Sequence, residues 1–130
     1  MHKTFLLLLL AVSCSSATSE PRDVTVGQQV ELRTDEWVHV AGSTVSVAFT
    51  GAADSRCPSD ATCVWAGEAM IRLHFTGAGS DRVDTLRAIA QPRTATYGDY
   101  RFEVVSLLPY PTNAAPNADK RLTLSVTPRS

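Results

Sequence analysis

The sequence is short of several things that would announce a function. Lysine occurs only twice in 130 residues against ten arginines, acids and bases are interspersed, and the formal net charge is −1. Without a basic run there is no dense phosphate-neutralising surface, so no nucleic-acid partner is expected. Glycine-rich phosphate loops are missing, as is a serine in a nucleophile elbow and a histidine–acid pair at telling spacing. The chain is therefore read as a non-enzyme, and no cofactor is expected. Its longest apolar run, Phe5–Val12, is far shorter than the roughly 20 residues a helix needs to cross a bilayer. After that run no window carries a convincing helical stripe.

Cysteine is also scarce: there are three, Cys14, Cys57 and Cys63. Two close cysteines are too few ligands for a metal centre, and no histidine lies beside them in sequence, so no metal is expected. His39 and His74 stand singly in strand-like segments. Cys57 and Cys63 enclose five residues, which is not the C-x-x-C spacing of a redox site. Asp54, Asp60 and Glu68 are acids near this loop, but they lack the ligand spacing of a calcium loop.

What is present is a period of two. Val24, Val30 and Leu32 share parity, with Gly27 marking a bulge or kink. Val45, Val47 and Phe49 alternate with polar neighbours, and Leu122, Leu124 and Val126 form a last strand. The cleanest alternation follows the cysteines: Ala69, Ile71, Leu73 and Phe75 on one face, Glu68, Met70, Arg72 and His74 on the other. Trp65 shares the apolar parity, so it is predicted to be buried between two sheets and over the disulfide, with Gly67 as a structural step beside it. Val83–Ile89 reads as an edge strand, and Tyr100–Leu108, apolar on both parities, as a central covered one. Pro109–Asp119 cannot extend a ladder. Six or seven short strands predict an all-β, antiparallel sandwich, immunoglobulin-like or a small barrel. The chain divides into a signal segment over 1–13, a tether over 14–22 and one domain over 23–128.

The N-terminus carries its own signal. His2 and Lys3 precede the leucine run, and Ala11-Val12-Ser13 brings small residues up to Cys14. This resembles the lipobox of bacterial lipoprotein signals, with alanine in place of leucine three positions before the cysteine. The resemblance implies cleavage before Cys14, a lipid on its thiol and a membrane-anchored protein of the bacterial cell envelope. Ser15 after it is similar to what outer-membrane sorting uses in diderm bacteria, on the periplasmic side. With Cys14 lipidated, Cys57 and Cys63 remain as an even pair in an oxidising compartment and are expected to form a disulfide.

Asp54-Ser55-Arg56-Cys57-Pro58, five residues and then Cys63-Val64-Trp65-Ala66-Gly67 resemble a motif of small bacterial lipoproteins and exported proteins. The later Tyr100–Leu108 and Pro109-Tyr110-Pro111 resemble its second segment. The resemblance implies a location and a shared fold, and it brings no activity. The expected role is a binding or interaction module with a protein partner in the envelope; the alternative is an inhibitor of a secreted or envelope hydrolase. Loops at one end of a sandwich carry such contacts. The candidates are Arg56, Pro58 and Asp60 of the cysteine loop, and Tyr110.

Overall fold

A computed structural model describes Ser13, Cys14 and residues 21–130. The expected signal segment apart from Ser13, and Ser15 to Glu20 of the expected tether, lie outside the described residues. Among those described, no helix is long and apolar enough to cross a membrane.

The described residues form nine strands: β1 (Arg22–Val24), β2 (Gln29–Arg33), β3 (Glu36–Val40), β4 (Ser46–Asp54), β5 (Ala69–Thr76), β6 (Arg82–Arg87), β7 (Thr94–Tyr97), β8 (Tyr100–Leu108) and β9 (Arg121–Pro128). They make two sheets, ordered β1-β3-β4-β5-β6 and β2-β9-β8-β7. All pairings are antiparallel except β1 with β3, which is parallel. The fold is the expected β-sandwich, with more strands than expected and one parallel edge.

The reason is the period-2 pattern. Along β5, Ala69, Ile71, Leu73 and Phe75 are fully buried, while the residues between them are not. They face Phe102, Val104, Leu122, Leu124 and Val126 of the other sheet. Each such side chain gains roughly 1.5–3 kcal/mol by leaving water. Phe75 is the hinge of this core, its ring 5.3 Å from Tyr97 and 5.0 Å from Phe102. Gly27, at φ 92°, takes the turn that carries the chain from β1 in one sheet to β2 in the other.

Two strand readings need correction. β8 is central, between β7 and β9, but it is covered on one face only. Its apolar residues fall on both parities because a bulge between Val104 and Ser106 shifts the register. Phe102, Val104 and Leu107 are thereby buried, and Val105 and Leu108 stay exposed. β7 has no counterpart among the strands expected from the sequence, because its alternation, buried at Ala95 and Tyr97, is too short to show as a pattern. β6 is an edge strand as expected, and it ends at Arg87, so Ile89 stands in the following loop.

β4, β8 and the loops after them converge on one end of the sandwich, where the cysteine loop (residues 55–68) stands beside the Pro109–Pro111 turn. The opposite end carries the β3–β4 and β7–β8 hairpins and the C-terminus of β9.

Candidate functional site

The cysteine loop begins at a buried charge cluster. Asp54 closes β4, and Arg56 returns to it with a two-pronged ion pair, Nε to Oδ1 at 2.8 Å and Nη2 to Oδ2 at 2.7 Å. Lys120, just before β9, reaches the same Oδ2 at 2.8 Å. The three side chains are 3%, 2% and 8% exposed. Arg56 Nη1 also donates to the Leu107 carbonyl at 2.8 Å, and Lys120 Nζ to the Pro109 carbonyl at 2.7 Å. The Arg56 guanidinium lies 3.9 Å from the Tyr110 ring centre, a cation–π contact. Burial alone would push the Asp54 carboxyl up; hydrogen bonds from Arg56 and Lys120 outweigh it and hold the group at about 2. This cluster ties β4, the β8–β9 loop and β9 into one joint.

Arg56 and Tyr110 were expected to present themselves to a partner. Arg56 is instead buried, because its fork is spent on Asp54 and two carbonyls; only Tyr110, stacked on it, keeps an open face. Asp60 accepts the Asn113 amide at 3.0 Å, and the Ser59 amide donates to the Pro111 carbonyl at 2.9 Å. The two candidate loops therefore share one end and are bonded to each other. Pro58 is half-buried beside Cys57. The expected disulfide between Cys57 and Cys63 is present, with Cα atoms 5.9 Å apart. Cys14 is an exposed free thiol.

Beyond the joint the loop is a narrow two-stranded neck, Ser55 amide to Glu68 carbonyl and Cys57 amide to Ala66 carbonyl, both 2.8 Å. Gly67 permits it: with φ 70° its backbone lies so close to the Ser55 carbonyl that a Cβ would collide with it. Glu68 turns inward. Its carboxylate accepts the amides of Ala69, Ala88, Ile89 and Ala90 at 2.8–3.1 Å. Desolvation opposes the charge, but these four donors more than offset it and lower the pKa.

Trp65 is the major correction. It is 82% exposed, and Val64 beside it is fully so. The parity argument ran β5 backwards through Gly67, whereas the strand starts at Ala69. The left-handed glycine ends the alternation and swings Trp65 out to the tip.

Behind the tip runs a groove of about 310 Å³, lined by Arg56, Ile89, Arg93, Val105, Leu108 and Tyr110 among others. Ile89, Val105, Leu108 and Tyr110 are exposed apolar or aromatic surface. Arg93 Nη2 donates to the Val104 carbonyl at 2.8 Å, and its buried Nε has no hydrogen-bond partner. Arg93 and Lys120 are the residues that sequence reasoning missed. Each follows a proline-containing loop, where no periodicity marks burial.

Elsewhere, His39 bridges Asp23 at 3.0 Å and the Ser43 carbonyl at 2.6 Å, and His74 lies under the Trp37 ring. Among the described residues, no group of three His, Cys, Asp or Glu side chains is placed to hold a metal ion. Compared with known proteins, the chain matches no family model, no curated protein and no solved structure.

Proposed function

We propose that this protein is a lipid-anchored β-sandwich of the bacterial cell envelope that works as a binding module for an envelope protein. Its working surface is the end carrying the cysteine loop and the Pro109–Pro111 turn. One observation carries this reading. Among the described residues, the exposed large hydrophobics Met70, Ile89, Val105, Leu108 and Tyr110 lie on the half of the sandwich toward that end, with Val64 and Trp65 beyond them at the loop tip, whereas Val83 does not. Single exposed apolar side chains are ordinary, but crowding on one end marks a contact surface. Four charged groups there, Asp54, Arg56, Glu68 and Lys120, are engaged inward, which suits surface contact better than proton or group transfer. The groove supplies an apolar wall and an aromatic face at Tyr110, features that fit a polypeptide.

The test is a photo-activated cross-linking residue placed at Val105 or Tyr110 and, separately, at Asp99 on the opposite end, in the chain expressed in its own envelope. The same discrete adduct from Val105 and Tyr110, absent from Asp99, is expected. Adducts from Asp99 alone overturn the assignment of the surface. An adduct identified as a hydrolase whose activity the protein blocks selects the inhibitor instead.

A further inference from the structure

We infer that Val64 and Trp65 form a second foothold on the lipid surface, so that the protein meets its membrane through the tip of the cysteine loop as well as through its N-terminus. The inference rests on the anchored reading above and names what that anchor brings into contact.

The first argument is direction. β4 runs toward the cysteine loop, β3 runs back from it, and β1, parallel to β3, also runs away from it. The chain therefore enters β1 from the cysteine-loop side. The second is reach. Arg22 is level with Val38 and, through it, with Val47. From Val47 to the end of β4 at Asp54 is roughly 23 Å of strand. Eight residue steps from Cys14 to Arg22 span at most about 28 Å. A lipid on Cys14 thus clears the end of the sheet by only about 5 Å at full stretch, and the cysteine loop projects from that same end. With this end toward the bilayer, an anchor this short leaves the loop no room to stand off the surface.

The third argument is the chemistry of the tip. Between Asp54 and Glu68 every charge but one faces inward: Asp54 and Arg56 are buried on each other, and Glu68 is wrapped in four amides. The exception, Asp60, already accepts the Asn113 amide. What stands exposed around the tip is Ala61, Val64, Trp65 and Ala66 together with the uncharged Ser59 and Thr62, and Asn113, Ala114 and Ala115 on the adjoining loop. An indole among small apolar and hydroxyl side chains, with Asp60 the one exposed charge between Ser55 and Gly67, suits the headgroup–acyl boundary, where tryptophan is favoured. The contact is weak alone, and the tether makes it intramolecular, which raises its effective concentration to the millimolar range.

The experiment uses the full chain carrying Trp37→Phe, which leaves Trp65 as its only tryptophan. The protein is held on phosphatidylethanolamine–phosphatidylglycerol vesicles through its own acyl groups or, where it carries none, by coupling the Cys14 thiol to a maleimide lipid. The expected result is a blue shift of Trp65 emission on tethering, strong quenching by brominated acyl chains and a several-fold loss of quenching by aqueous iodide. Emission that stays red and iodide-accessible on the vesicle overturns the inference, as does burial that appears only when envelope protein is added. A Trp37→Phe, Trp65→Phe, Asp99→Trp chain that is quenched by the brominated lipid while Trp65 is not also overturns it, by turning the other end to the membrane. Because the maleimide route supplies the tether chemically, a negative result counts against the tip alone; failure of Cys14 to take up labelled fatty acid in cells counts against the anchor.

Discussion

At the scale of single residues, Asp54 and Trp65 show how differently burial treats two side chains of one loop. Asp54 has its pKa held at about 2, below its ordinary 3.8. A depressed carboxyl stabilises the fold fully above its unfolded pKa, and the contribution is lost as pH falls from near 4 through 2. Chemical denaturation at pH 6 and at pH 2 should show roughly 2 kcal/mol of this group's stabilisation disappearing, and Asp54→Asn should remove that part of the pH dependence. Arg56→Ala leaves a buried carboxylate with one partner fewer. It should cost roughly 3–5 kcal/mol, with Arg56→Lys failing to restore it because an ammonium cannot make the paired contact. Trp65→Ala, by contrast, should leave the melt within about 0.5 kcal/mol of the parent, as exposed substitutions do. A loss of several kcal/mol would return this side chain to the core.

At the scale of elements, the alternating strands were legible because one face of each is buried and the period records it. β5 reads directly from Ala69, Ile71, Leu73 and Phe75, and the edge position of β6 reads from its mixed polarity. The failures share a physical cause: a local break in backbone geometry resets the parity. Gly67 does so before β5, sending Trp65 out, and the bulge in β8 does so between Val104 and Ser106. The site was legible only in part. Cys57 and Cys63 announced their bridge, and both loops were legible as candidates, but that they share one end was not, because the Ser59–Pro111 and Asp60–Asn113 contacts join residues more than fifty positions apart. The inward turn of Arg56 depends on Lys120 and on the Leu107 and Pro109 carbonyls, partners remote in sequence that no local pattern encodes. The disulfide closes a short loop and should contribute about 2 kcal/mol. The Cys57→Ser, Cys63→Ser chain should therefore melt on the order of 10 °C lower yet still fold, because the core lies in the sheets. If the double variant melts with the parent, the neck hydrogen bonds alone hold the loop.

At the scale of the whole molecule, the sandwich is polarised: charge is drawn inward and apolar surface outward at one end, while hairpins finish the other. Anchoring is proposed from the N-terminal resemblance and has its own test. Cys14→Ser should abolish fatty-acid labelling and release the protein from membrane pellets; a variant that still sediments with membrane and still takes up label excludes Cys14 as the anchor. The parallel pairing of β1 with β3 then has a mechanical consequence. Under the proposed anchoring, tension arriving at Arg22 would pull β1 along its own length, so its ladder with β3 would be loaded in shear and its hydrogen bonds would have to yield together instead of opening one by one. Buried Val24, the Asp23–His39 contact and the Arg22–Glu36 ion pair at 2.6 Å lie across the same joint. The strand that receives the tether is thus set in the orientation in which three residues resist a pull best.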